Sequence, residues 1–235
     1  MKICITAANC FIGLPLVKKA SSLGWKVTAV IRVGNKQKEI LKRIPNVDVI
    51  ELNLENYSQL GKLVGSVDCA VLLAWNGTRG EDRLSEGLQR SNYIYNLMAV
   101  ESLIEYDCKK IITAGSQAEY GICDTVISED IRCNPNTAYG RYKVKFFEKA
   151  SAICKEKKVS IKEPRFFSLY GPGDYKNTLV MSNIKKMLNN EECNMTLCTQ
   201  MWDYLFIDDA IEGIINLCQK ECQDGAYNFG SGDCR

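Results

Sequence analysis

The chain has 235 residues, 46% of them hydrophobic and 25% charged, and a formal net charge of +2. This suits one large globular domain, or one domain with a small appendage, and the near-neutral balance gives no reason to expect nucleic acid or an anionic membrane as partner. There is no histidine, which excludes Ser-His-Asp and Cys-His nucleophile systems and His-Glu-x-x-His metal sites and leaves acid-base work to Tyr, Lys, Asp, Glu or Cys.

The start, Met1-Lys2-Ile3-Cys4-Ile5, reads as a strand and lacks the features of a signal peptide. The longest apolar runs, such as 69–75, are too short to span a bilayer. Twelve cysteines include no C-x-x-C pair. Without histidine or paired knuckles a zinc site is not expected, and cysteines scattered through apolar runs predict a reduced, cytosolic protein.

Apolar periodicity predicts strands at 2–6, 25–32, 47–52 and 67–75, separated by helices at 11–23, 36–43 and 57–64. The alternation continues with a long helix over 83–106, a strand at 109–114, a helix at 139–155 and a strand at 159–166. It is the pattern of an α/β domain, a parallel sheet with helices on both faces. After Gly171-Pro172-Gly173 the pattern changes. A helix is expected at 179–188, a short strand at 194–197 and a helix at 210–218. The expected organisation is one doubly wound nucleotide-binding domain over 1–170 and a small C-terminal portion over 171–235 with segments returning to the sheet.

Two stretches carry chemistry. Tyr139 and Lys143 lie four residues apart at a helix start, so phenol and ammonium share one face. A phenol is too weak an acid to serve as a base near neutrality unless a cation favours the phenolate, and such a pair can shuttle a proton to an alcohol or ketone. Taken alone, the pair also reads as an ordinary helix start. The first strand-turn-helix, Thr6 to Gly13, is placed to hold a pyrophosphate at the helix N-terminus. Of its usual glycines only Gly13 remains, with Ala7 and Cys10 at the other two positions, and a Cβ at Cys10 is expected to crowd a diphosphate. The plain alternative is a βα turn that packs well and binds nothing.

The segments Thr6-x-x-Asn9-x-Phe11-Ile12-Gly13, Leu73-Ala74-Trp75, Gly115-Ser116-Gln117-Ala118-Glu119-Tyr120-Gly121, Pro135 to Lys143, Arg165 to Gly173, Asp203 to Ala210 and Tyr227 to Gly232 follow one another in a familiar order. Together they resemble the extended short-chain dehydrogenase/reductase family of the NAD-dependent epimerase/dehydratase type, over nearly the whole chain. The resemblance implies a Rossmann-type domain over 1–170 binding NAD or NADP, a partial substrate lobe over 171–235, a nucleotide-sugar substrate, and a homodimer formed through the helices at 83–106 and 139–155. By position it makes Tyr139 the catalytic acid/base, Lys143 the group that lowers its pKa and holds the nicotinamide ribose, and Ser116 the hydroxyl on the reacting oxygen.

For the cofactor it implies Ala7, Asn9, Cys10, Phe11, Ile12 and Gly13 at the diphosphate turn, and Asn53 and Leu54 near the adenine. Leu73, Ala74, Trp75, Asn92 and Phe166 are implied along the crevice. Arg32 follows the second strand, where an arginine suits a 2′-phosphate and leans the choice toward NADP. On the substrate side it implies Gln117, Ser168 and Asp208. Sugar dehydratases of the family carry an Asp-Glu pair after the catalytic hydroxyl residue. Here Gln117-Ala118 stand there, with Glu119 one residue off and expected to point elsewhere, so dehydration is disfavoured. A 4-epimerase and a 4-ketoreductase stay open, as does a non-catalytic nucleotide-binding protein of the same fold. Similar proteins continue beyond the Tyr-Asn-Phe-Gly-Ser-Gly segment to complete the sugar lobe.

Overall fold

A computed structural model describes residues 1–232. Lys2–Thr6 forms β1, whose Ile3 and Ile5 enter one apolar core while Cys4 enters another, as the two-residue repeat of a strand requires. α1, Gly13–Ser22, buries Leu16, Val17 and Ala20 on one face, and Gly24 at φ +75° follows its end. β2 (Lys26–Ile31), α2 (Lys38–Lys42) and β3 (Val47–Glu51) follow. The helix expected from residue 57 is already under way at Leu54 as a 3-10 turn, which passes into α3 (Leu60–Val64).

β4, Cys69–Leu72, is buried throughout. The long helical stretch divides into a 3-10 turn at Gly80–Leu84 and α4 (Glu86–Glu105), whose N-cap Ser85 accepts from the Leu88 amide at 3.4 Å. β5 (Lys110–Thr113) and the two-residue β6 (Gly115–Ser116) precede α5 (Ala138–Lys157), capped by Thr137, which accepts from the Gly140 amide at 3.2 Å. β7 is Ser160–Phe166 and β8 Ser168–Tyr170; α6 (Leu179–Leu188), β9 (Tyr204–Phe206), α7 (Ile207–Gln219) and β10 (Gly225–Phe229) complete the order.

Eight parallel strands form the main sheet in the order β10-β7-β5-β4-β1-β2-β3, with β6 continuing the line of β5 against β7. The sheet is thus of the doubly wound kind. α1 and α7 cover one face and α3, α4 and α5 the other, each with its own core. The strand expected at 194–197 does not form. Met195 and Leu197 stand exposed with no apolar surface to cover, and residues 191–202 carry no regular structure. Pairing goes instead to the aromatic run of β9, which joins β8 in a small two-stranded sheet. The chain past Tyr170 therefore contributes both to that small sheet and, through α7 and β10, to the main layer.

Among the described residues no helix is long and apolar enough to cross a membrane, and no cluster of His, Cys, Asp and Glu could hold a metal ion. Residues 233–235 lie outside the described residues.

Candidate active site

Parallel strands place their C-terminal ends along one edge, and the chain's polar turns gather there. Ser116 ends β6 in an extended conformation and caps the 3-10 turn Gln117–Glu119. Its hydroxyl accepts from the Ala118 amide at 3.2 Å, and its own amide donates to Glu119 Oε1 at 2.7 Å. Tyr139 is the second residue of α5. The helix start presses on the turn so closely that a Cβ at Gly140 would lie 2.3 Å from the Ala118 carbonyl oxygen. Glycine at that position is what lets Tyr139 reach Ser116.

Tyr139 is buried, and burial pushes its phenol up to about 12. The nearby Ser116 hydroxyl and the Arg83 guanidinium, 4.7 Å above its ring, pull the other way, while Glu119 and Glu163 add to the rise. The Lys143 ammonium donates to the Ala114 carbonyl at 2.6 Å and lies 3.8 Å above the Trp75 ring centre, and 5.8 Å from that of Tyr139. Burial brings its amine down to about 8, opposed by Glu119 and Glu163. Lys143 thus stands beside Tyr139, as the helical spacing predicts, and Arg83 is a second cation near the ring, one that favours the phenolate. The Ala114 carbonyl and the Trp75 face hold the ammonium.

A crevice of about 390 Å³ opens between the ends of β1, β2 and β4. It brings together the turn residues Ala7, Asn9, Cys10, Phe11 and Ile12 with Arg32, Leu54, Leu73, Ala74 and Trp75. Gly13 stands behind the turn, where a Cβ would meet the Ala7 carbonyl oxygen at 2.4 Å. Asn53 sits beside the crevice and accepts the Val33 amide at 3.2 Å. Arg32 reaches across to hydrogen-bond Asn76. Asn9 donates to Gln37 at 3.0 Å.

The turn has a cradle of amides, and Cys10 fills it. Its Sγ accepts from the Gly13 amide at 3.2 Å and is also within hydrogen-bonding reach of the Ile12 and Cys10 amides; burial pushes the thiol up and these amides draw it back. The crevice walls fit an adenosine and the cradle fits a diphosphate, provided this side chain turns aside.

Asn92 works from behind the crevice. It accepts from the Asn76 amide at 2.9 Å and donates to the Asn76 carbonyl at 2.8 Å. Gln89 accepts from the Trp75 indole at 2.7 Å, and Asn96 donates to the Ala74 carbonyl at 3.1 Å. Gln89, Asn92 and Asn96 are all buried and form one polar stripe on α4 that pins the loop after β4. Sequence reasoning found only Asn92. The signal for the other two is their helical spacing on an otherwise core-facing side. It also missed Thr6, which accepts from the Leu73 and Ala74 amides at 2.9 and 3.2 Å, and Arg83.

The remaining predicted positions lie farther along. Phe166 ends β7 beside Ser116 and packs edge-on against Phe229 at 5.5 Å. Gln117 opens the 3-10 turn, and its carbonyl accepts from the Tyr120 amide at 3.1 Å. The Ser168 hydroxyl is taken by the Trp202 indole, and Asp208 is exposed in the first turn of α7. Glu119 turns inward to Arg165 at 3.1 Å, as expected of a residue one place off. Arg79 approaches Asp174 at 3.6 Å and stacks 4.7 Å over Tyr175, tying the loop beyond Trp75 to the segment after β8.

A family comparison decides what this edge belongs to. The description "NAD dependent epimerase/dehydratase family" matches residues 3–230. The chain belongs to this family. An ADP-L-glycero-D-manno-heptose-6-epimerase of Nitratidesulfovibrio vulgaris is 27% identical over 252 aligned residues, covering 98% of this chain and 76% of that protein. A dTDP-6-deoxy-L-talose 4-dehydrogenase (NAD(+)) of Aggregatibacter actinomycetemcomitans is 26% identical, over 79% of this chain and 67% of its own length. Among solved structures, the UDP-glucose 4-epimerase of Thermotoga maritima with UDP-glucose superposes with a TM-score of 0.89 at 22% identity, over all of this chain and 78% of that one. The fold expected from the sequence is thus the family's fold, and the cofactor class expected, NAD or NADP, is the family's own.

Proposed function

We propose that the chain is an NAD(P)-dependent nucleotide-sugar 4-epimerase or 4-ketoreductase in which Tyr139 is the acid/base. The observation that supports this most is the joint placement of Ser116, Tyr139 and Lys143 at the sheet edge beside the crevice. A bound nicotinamide would supply the hydride acceptor or donor for a sugar carbon. The chain's own part is proton transfer and positioning. The Tyr139 phenol gives a proton to the sugar oxygen, or takes one from it, while the Ser116 hydroxyl holds that oxygen. Lys143 is the cation available to the ribose and the phenol, and Arg83 already favours the phenolate. Gln117 and Ala118 offer no second acid-base pair, which speaks against water elimination.

Position 4 is supported by the name of one relative, the dTDP-6-deoxy-L-talose 4-dehydrogenase, and by that of the structurally similar UDP-glucose 4-epimerase, whereas the heptose epimerase is named for position 6, so ADP-heptose belongs in any substrate panel. Ser168 and Asp208 lie beyond the crevice, on the side where the sugar is proposed to bind. We also propose a homodimer through the outer faces of α4 and α5, which sedimentation at micromolar concentration tests directly.

The deciding experiment is turnover with a panel of nucleotide sugars, for the wild type and for Tyr139→Phe. The expected result is activity in the wild type and a loss of about a thousandfold or more in the variant, with NAD(P)H binding nearly unchanged. Turnover that survives Tyr139→Phe would remove Tyr139 from its role.

A further inference from the structure

Behind the active-site edge lies a cluster that the proposed chemistry does not use. Glu163 and Arg165 are two residues apart on β7 and point to the same side of the strand. Arg165 Nε donates to Glu163 Oε2 at 3.0 Å and to Glu119 Oε2 at 3.1 Å. Both carboxyl groups are fully shielded from solvent. Glu163 Oε1 has no hydrogen-bond partner among the described residues. The neighbouring strand makes room for the cluster: at Gly115, paired with Arg165, a Cβ would come within 2.7 Å of the Glu163 side chain and 2.8 Å of the Arg165 side chain. The remaining Glu119 oxygen, Oε1, takes the Ser116 amide at 2.7 Å.

Only one cation, Arg165, is in ion-pair contact with the two buried carboxylates, and Lys143 acts on them from beyond contact, so two ionised carboxylates side by side are costly in a dry interior. A proton held between the two carboxyl groups removes that cost and gives the orphan oxygen a hydrogen bond to make. We propose that Glu119 and Glu163 share one proton against Arg165, and that this pair is a positioning device for the active site, fixing Ser116 through its backbone and presenting one carboxylate charge to Lys143.

The electrostatics agree. Burial lifts both carboxyls, Glu163 well above the ordinary range and further because of Glu119. The two carboxyls are the charged groups that act on Lys143. The other titratable groups facing the site are Tyr139 from α5 and Arg83 from the 3-10 turn before α4, which acts on that phenol. Facing the pair are Lys143, Arg165, and the Cys133 thiol from the segment before α5. Arg165 in turn lies 4.8 Å over the Tyr120 ring.

The inference rests on the reading of Lys143 as part of the active site, but its first test does not require turnover. At neutral pH every exposed carboxyl is ionised, so infrared spectroscopy of the full chain should show one protonated-carboxyl band. The band should vanish in Glu163→Gln and in Glu119→Gln alike, because each leaves one carboxylate to pair with Arg165. No band in the wild type, or a band that persists in either single variant, overturns the shared proton.

The second test reads Lys143. Each single variant keeps one carboxylate and should leave the alkaline limb of the pH-rate profile in place. The triple variant Glu119→Gln/Glu163→Gln/Arg165→Met keeps none and buries no orphan charge, and should move that limb down by about one pH unit. An unmoved limb overturns the positioning role. If no substrate turns over, that failure belongs to the proposed function. The same displacement is then read in the pH dependence of urea unfolding.

Discussion

The Lys143 ammonium lies 3.8 Å above the centre of the Trp75 ring, and the Gln89 amide holds that ring by its indole nitrogen. The aromatic face and the Ala114 carbonyl are what a buried cation receives in place of water. They compensate only in part, since the amine falls from 10.5 to about 8. Between those values the unfolded chain keeps this proton and the folded chain does not. The contribution of Lys143 to stability therefore rises with pH across that window. Tyr139, raised from 10.0 to about 12, acts oppositely above pH 10. We predict that the wild type gains on the order of 1–2 kcal/mol relative to Lys143→Met between pH 8 and pH 9.5, measured by urea unfolding. A pH-independent difference would contradict the burial argument. Activity should follow the opposite course and decline above about pH 8 as the ammonium is lost.

Cys10 Sγ sits where a diphosphate oxygen would draw on the turn amides, and Ala7 holds φ +48°, a conformation glycine adopts at less cost. Ala7→Gly/Cys10→Gly should tighten NADH binding about tenfold, an effect of about 1.4 kcal/mol, with little change in folding stability. Fluorescence titration measures it. Unaltered affinity would mean that the thiol turns out of the cradle at no cost.

Gly140→Ala tests how Tyr139 is placed. The new methyl would meet the Ala118 carbonyl oxygen at 2.3 Å. Because the obstacle is backbone, the helix start must move away from Ser116. The expected cost is about 1–3 kcal/mol of stability together with a fall in turnover much larger than any change in cofactor binding. Equal losses in both would assign Gly140 to general packing.

Arg32 is exposed at the crevice rim and bonded to Asn76, free to exchange that partner for a phosphate. Arg32→Glu should weaken NADPH binding at least about tenfold and leave NADH binding much less affected. Equal effects on the two cofactors would remove Arg32 from the choice between them.

The alternating pattern of the first four strands is legible because β1, β2 and β4 are apolar runs buried on both faces and each turn is marked by polar residues or glycine. The Tyr139/Lys143 pair was readable because helical spacing alone puts both side chains on one face. Where the ammonium goes is not, since that depends on Trp75, in the loop after β4, and on Ala114, between β5 and β6. The same holds for Glu119. Its place one residue off the dehydratase pattern foretold that it points elsewhere, but nothing local names Arg165, 46 residues on, as its partner. The strand expected at 194–197 failed for a related reason. A short apolar run becomes a strand only where an edge is available, and β8 offers its edge to Tyr204–Phe206.

β10 carries a consequence for biosynthesis. Among the described residues it is the outer strand of the main sheet, pairing with β7 along Lys162 to Phe166, yet it follows every other strand in chain order. A chain released before Gly225 would leave the backbone of β7 unpaired along that line, a ready template for another copy. Premature release should therefore produce self-associating material that light scattering detects, rather than a merely weakened monomer.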